Sequence, residues 1–185
     1  MIDDFLGDAT QRMDKSVEAT HDHFNSVRTG RATAALLDRI TIDYYGTPTP
    51  LKNMATINVP EPRMLTIQPF DPTSIKQIEK TIQESDLGLS PSNDGKLIRL
   101  PIPQLTEERR KDLVKIIRGM AEEGRVAVRN VRRDAIKQLE DLAKSGDVGD
   151  DDERAAEGRV QKLTDEHVAR IDEMLKRKEA EIMEV

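Results

Sequence analysis

The chain has no cysteine, no tryptophan, and only two tyrosines and three phenylalanines among 185 residues. Without cysteine there are no disulfides and no thiolate chemistry. Aromatics at 3% against 35% charged residues suit extended helices with narrow apolar seams better than a compact, aromatic-rich enzyme core. No run approaches the roughly 18 apolar residues of a membrane span. The opening MIDDFLGDAT is acidic where a signal peptide is basic and then apolar, so a cytoplasmic chain is expected. Glycine-rich phosphate loops and dinucleotide fingerprints are missing. His21, His23 and His167 have no companions at metal-ligand spacing; they read as surface or packing residues. The acidic run Asp147 to Glu153 lacks the register of a calcium loop and reads as a solvated connection. No catalytic residue, metal or cofactor is assigned, and the chain is not expected to be an enzyme.

Proline is also missing from most of the chain: all nine lie between Pro48 and Pro103. Residues 106–145 contain none. Their apolar residues Leu113, Ile117, Met120, Val128, Val131, Ala135, Leu139 and Leu142 recur at helical spacing. Forty such residues make a rod of roughly 60 Å, which needs partner helices along its length. Residues 2–28 repeat the pattern through Leu6, Ala9, Met13, Val17, Thr20 and Phe24. A final helix over about 151–183 does so through Val160, Leu163, Val168, Ile171, Leu175 and Ile182, after a polar break at 144–158. Three such helices bury their seams against one another as a bundle. Gly119 and Gly124, inside the longest of them, are read as permitting close helix packing.

The proline-rich middle is a different domain. Ile40–Tyr44, Thr56–Val59, Met64–Gln68 and Lys96–Ile102 read as strands, residues 73–85 as a short helix capped at Asp71 or Thr73, and Asn93-Asp94-Gly95 as a turn. One of Tyr44 and Tyr45 is expected in its core. The expected fold class is α+β: a three-helix bundle of residues 1–29 plus 106–185, with a small β/α/β domain of residues 31–104 inserted into it. Two short connections near 29–31 and 104–106 favour a hinge.

Charge is unevenly spread. Residues 106–145 carry eleven Lys and Arg against eight Asp and Glu, whereas residues 146–185 carry seven against thirteen. Arg118, Arg125, Arg129 and Arg132 share one face of the long helix, flanked by Arg133. Two readings stand side by side: a solvated face paired to acids, or a phosphate-contacting line on folded RNA, read by backbone and shape since stacking aromatics are missing from this helix. The rival function class is a helical, chaperone-type adaptor that binds protein rather than RNA.

Several stretches in order resemble ribosome recycling factors of the bacterial type: VRTGRA at 27–32, DYYGTPTPL at 43–51, SDLGLSPSNDG at 85–95, IRLPIPQLTEERRKDLVK at 98–115 and RVAVRNVRRDA at 125–135. The resemblance implies an L-shaped, hinged protein, active as a monomer. It implies a translation factor that, with elongation factor G and GTP, splits the post-termination ribosome after binding large-subunit ribosomal RNA in the A-site region. The RNA contacts it implies are Arg28, Arg31, Arg110, Arg129 and Arg132, with Arg118, Arg125 and Arg133 as weaker candidates. The hinge it implies comprises Thr29, Gly30, Arg31, Gln104, Leu105 and Thr106. The chain departs from the family pattern at Met120, Gly124 and Pro62.

Overall fold

Apolar residues at helical spacing need a common seam, and three helices supply it. In the computed structural model, which describes residues 1–184, these are α1 (Ile2–Ser26), α3 (Glu107–Ser145) and α4 (Asp150–Met183). Between α1 and α3 lie strands β1 (Thr41–Tyr44), β2 (Thr47–Pro50), β3 (Ala55–Glu61) and β4 (Met64–Pro69), helix α2 (Ile75–Glu84), and strands β5 (Ser92–Asn93) and β6 (Ile98–Pro101). The chain divides into two compact units: Met1–Thr29 with the chain from Glu107 onward, and Gly30–Thr106.

In the helical unit Leu6, Ala9, Met13, Val17 and Phe24 of α1 are buried with Leu113, Ile117, Val128, Val131, Ala135 and Leu139 of α3. Each large side chain so buried contributes roughly 1.5–3 kcal/mol. The α3 seam differs from the expected one in its middle. Met120 is only half-buried, and Ala121 and Gly124 take the buried positions. A Cβ on Gly124 would stand 2.2 Å from Thr20 Oγ1, so the glycine lets α1 approach; Gly119 faces open space and has no packing role.

On α4 the buried set is Ala156, Val160, Thr164, His167, Ile171 and Ile182, with Leu163, Val168 and Leu175 only half-buried. Periodicity missed Thr164 and His167 because polar side chains hide an apolar-style position. Thr164 satisfies its hydroxyl on Val160 O at 2.8 Å. His167 sets Nδ1 at 2.6 Å from Leu163 O and Nε2 at 2.8 Å from Asp14 Oδ1. Arg170 reaches the same Asp14 oxygen at 2.8 Å. Hydrogen bonds from His167 and then Arg170 hold the Asp14 carboxyl below its ordinary range.

The polar run 144–158 is mostly helix, not loop. Only residues 146–149 break it. Gly146 turns the chain at φ +81, its N–H donating to Ala143 O at 3.1 Å and that of Asp147 to Leu142 O at 3.0 Å. That pairing closes the end of α3 as a Schellman motif. Asp150, Asp151, Asp152 and Glu153 then form the first turn of α4, where carboxylates complement the helix dipole. The acidity that read as loop solvation is a helix start.

The small unit has a four-stranded antiparallel sheet ordered β3-β4-β6-β5 and a separate β1–β2 hairpin. Leu37, Ile42, Leu51, Leu65, Ile67, Ile78, Ile82, Ile98 and Leu100 form its fully buried core. β2, Thr-Pro-Thr-Pro, and the two-residue β5 escape a sequence reading. Proline lacks a ladder donor, yet an edge position tolerates it. The last strand starts at Ile98 rather than Lys96 because Asp94 Oδ1 accepts the N–H groups of Lys96 and Leu97, at 3.0 and 2.9 Å. Of the tyrosines, Tyr44 is half-buried and Tyr45 exposed. Asp71 Oδ1 accepts the Thr73 N–H at 3.0 Å and so caps the single tight turn Pro72–Ser74; α2 itself starts after Ser74 with no side-chain cap, so neither Asp71 nor Thr73 caps it directly.

Candidate nucleic-acid interface

Basic side chains at 118, 125 and 132 repeat every seven residues, and α4 carries Asp165, Asp172 and Glu179 with the same repeat. Antiparallel helices bring such series into register, one pair every two turns. Arg118 Nε donates to Glu179 Oε1 at 2.6 Å. Arg125 Nε donates to Asp172 Oδ1 at 2.8 Å and its Nη1 to Glu122 Oε2 at 3.0 Å. Glu179 raises the Arg118 guanidinium above its ordinary value. At Arg125 burial opposes the charge most strongly, but the bonds to Asp172 and Glu122 outweigh it and the net shift is upward. These two arginines are locked to α4.

The third step of the zipper differs. Arg132 Nη1 donates at 3.0 Å to Gln161 Oε1, a neutral acceptor, because Gln161 stands between it and Asp165, whose Oδ1 takes the Gln161 amide at 2.9 Å. Arg132 Nε is buried without a hydrogen-bond partner, as is Arg110 Nε. Arg133 donates to neutral Asn130 at 3.1 Å. Arg129 makes only a long contact, 3.5 Å, with Glu122. Asp134, the acid beside this cluster, is drawn to Arg12 of α1 at 2.9 Å. Arg129, Arg132 and Arg133 therefore keep their positive charge in one and a half turns of α3, while Arg118 and Arg125 are neutralised.

Arg28 is exposed just beyond the end of α1, and Thr29 Oγ1 donates to Glu181 Oε1 at 2.9 Å. In the small unit Arg31 and Gln104 are exposed. Gly30 has φ +75, and Leu105 Cγ lies 3.1 Å from where its Cβ would be. Thr106 immediately precedes α3. Among the described residues there is no cluster of His, Cys, Asp or Glu fit to hold a metal ion, and no helix is long and apolar enough to cross a membrane. Reading the sequence missed Asp172, Glu179 and Gln161 as the groups that sort the arginines. For Asp172 and Glu179 the seven-residue spacing was the available signal; Gln161 lies off that repeat.

A family model described as ribosome recycling factor matches residues 20–183. The chain is 57% identical over 180 residues to the ribosome-recycling factor of Rubrobacter xylanophilus, covering 97% of each. It is 51% identical over 185 residues to that of Geobacillus kaustophilus, covering 100% of each. The fold is similar to the solution structure of a ribosome recycling factor (TM-score 0.71, 40% identity, 100% of this chain and 98% of that one). It is also similar to a chain from a description of the T. thermophilus ribosome recycling factor and the E. coli elongation factor G bound to the E. coli post-termination complex. There the TM-score is 0.62 and the identity 44%, with 100% of both chains covered.

Proposed function

We propose, because this chain belongs to the ribosome recycling factor family, that it splits the post-termination ribosome into subunits together with elongation factor G and GTP. On this reading it works as a monomer in the cytoplasm. The helical unit docks on large-subunit ribosomal RNA in the A-site region, and the small unit is the arm on which elongation factor G acts. One observation carries the RNA contact: Arg132 and Arg133 hold neutral partners and Arg129 only a stretched ion pair with Glu122 at 3.5 Å, whereas Arg118 and Arg125 spend their charge on α4. Guanidinium groups without a close carboxylate suit phosphate oxygens. Arg28 and Arg31 complete the proposed contact set.

Co-sedimentation with isolated large ribosomal subunits across a salt titration tests this. Arg132→Ala is expected to weaken binding and to reduce the salt slope by about 1, with Arg118→Ala close to the parent. Identical curves for the parent and Arg132→Ala would count decisively against it. The hinge through Thr29–Arg31 and Gln104–Thr106 is tested at Gly30. Its left-handed backbone and the nearby Leu105 make Gly30→Ala strained, so splitting should fall more than subunit binding does. Equal loss of both would sink the lever.

The adaptor reading requires a continuous apolar groove on the bundle. The large apolar side chains most exposed on α3, Ile116 and Val126, stand ten residues apart and do not line up on one face.

A further inference from the structure

All three histidines lie in the helical unit, and they are placed differently. His21 and His23 are exposed on α1. His167 sits in the seam of α4 with only 4% of its surface open. A buried polar group needs hydrogen-bond partners, and those an imidazole can use depend on its proton count. The neutral ring has one N–H donor and one lone pair; the imidazolium has two donors and no lone pair.

Both nitrogens of His167 face acceptors. Nδ1 lies 2.6 Å from Leu163 O, one turn back on α4, and Nε2 lies 2.8 Å from Asp14 Oδ1 on α1. The carbonyl has no proton to give. Neither has the carboxylate, because Arg170 donates to the same oxygen at 2.8 Å and the two bonds keep Asp14 ionised. A neutral ring would press a lone pair against one oxygen, whichever tautomer it took. Only the doubly protonated ring satisfies both contacts.

The surrounding charges come from all three helices. Asp14 of α1 favours a charged ring; Arg170 of α4, sharing that carboxylate, opposes it. Arg12 of α1, two residues before Asp14, is drawn instead to Asp134 of α3 at 2.9 Å. Among the described residues α3 gives the ring no hydrogen bond or ion pair. Burial opposes the charge as well, but two bonds from an imidazolium are each stronger than their neutral counterparts. The Asp14 side chain is half open to solvent, so water can supply or remove the proton there.

We infer that His167 is a proton-operated clasp between α1 and α4, closed while the ring carries two protons and released when it gives one up. The ring is rigid, so turning it from one oxygen draws the other nitrogen from its partner too. Folding favours the charged ring. The stabilisation is therefore complete below about 6.5, the ordinary histidine value, and is lost as the pH rises beyond it.

The test is urea unfolding of the full chain, followed by far-UV dichroism, from about pH 5.5 to about pH 8.5. His167→Phe keeps a ring in the seam without either bond, and Asp14→Asn offers a neutral Nε2 an amide donor. Relative to both variants, the parent's folding equilibrium constant should fall by up to about tenfold per pH unit above about 6.5. His21 and His23 are common to all three chains and cancel. Ring nitrogen NMR of the parent, which needs no variant, should pass from two protonated nitrogens to one over the same range. Parallel pH profiles for the parent and His167→Phe overturn the clasp. A slope lost in His167→Phe but kept in Asp14→Asn overturns it too, since the proton would then answer to another group. So does a parent ring with a single protonated nitrogen throughout.

Discussion

The two units hold themselves together differently and present different chemistry outward. In the helical unit the seam is a single line per helix, much of it alanine, threonine and glycine, and the flanks are arginine and carboxylate pairs. In the small unit nine fully buried isoleucines and leucines come from sheet, hairpin, helix and connecting turns together. Its outward features are two aromatic rings, Tyr45 and Phe70. A bundle leaves charge on its surface because the seam uses only a fraction of each helix, whereas a small mixed core gathers nearly every aliphatic side chain inward. The same chain thus turns charged pairs outward on one unit and exposed aromatic rings on the other.

Core truncation should separate the units most strongly. Both tyrosines lie in the small unit, so tyrosine fluorescence reports it selectively, while far-UV dichroism is dominated by the three long helices. Ile67→Ala, at a fully buried position, should cost about 2–5 kcal/mol and lower the fluorescence midpoint while the dichroism midpoint barely moves. A joint shift of both signals would show that the units melt as one.

The glycines of α3 should give opposite signs. Gly124→Ala drives a methyl group into Thr20 Oγ1 and should destabilise by about 1–3 kcal/mol. Gly119→Ala, in open space, should stabilise by roughly 1 kcal/mol through helix propensity alone. Urea denaturation followed by dichroism distinguishes them, and a stable Gly124→Ala would refute the close α1–α3 contact.

A smaller effect is expected from the charge zipper. Arg125→Ala should cost up to about 1 kcal/mol, less at high salt, and Arg133→Ala close to nothing. Equal costs would mean that α4 does not sort the arginines.

The smallest test lies in the small unit. Backbone bonds from Lys96 and Leu97, and then the Arg99 guanidinium, hold the Asp94 carboxyl down to about 2. A carboxylate depressed in the folded state contributes stability that is complete above its ordinary value, about 4, and is lost as pH falls through about 2. Carboxyl titration by NMR should give Asp94 a midpoint near that lower value, and the turn at Gly95 should loosen only there. Titration at an ordinary aspartate value would dissolve the turn's cap.

Legibility followed the range of the forces involved. The long helices, α2, and the Asn93–Gly95 turn could be read because their causes are local: spacing, a side chain two residues away, a glycine where φ is positive. β2 and β5 could not, since a strand exists only through the partner it pairs with. At the candidate interface the identity of the basic residues was legible but their availability was not. Arg118 and Arg132 look alike along α3, and only the antiparallel register of α4 sets Glu179 against one and Gln161 against the other.

The sequence by itself determined the periodic seams, the separation of a proline-rich middle from proline-free helices, the lack of thiol chemistry, and the concentration of basic charge on residues 106–145. All of these are properties of neighbours along the chain. Only the tertiary structure decided which arginines keep their charge, why Gly124 sits in the seam, how His167 is satisfied inside it, and that Tyr45 sits exposed at a left-handed turn. Each of those depends on a group tens of residues away or on a backbone angle imposed by pairing, and residue type and spacing carry no record of either.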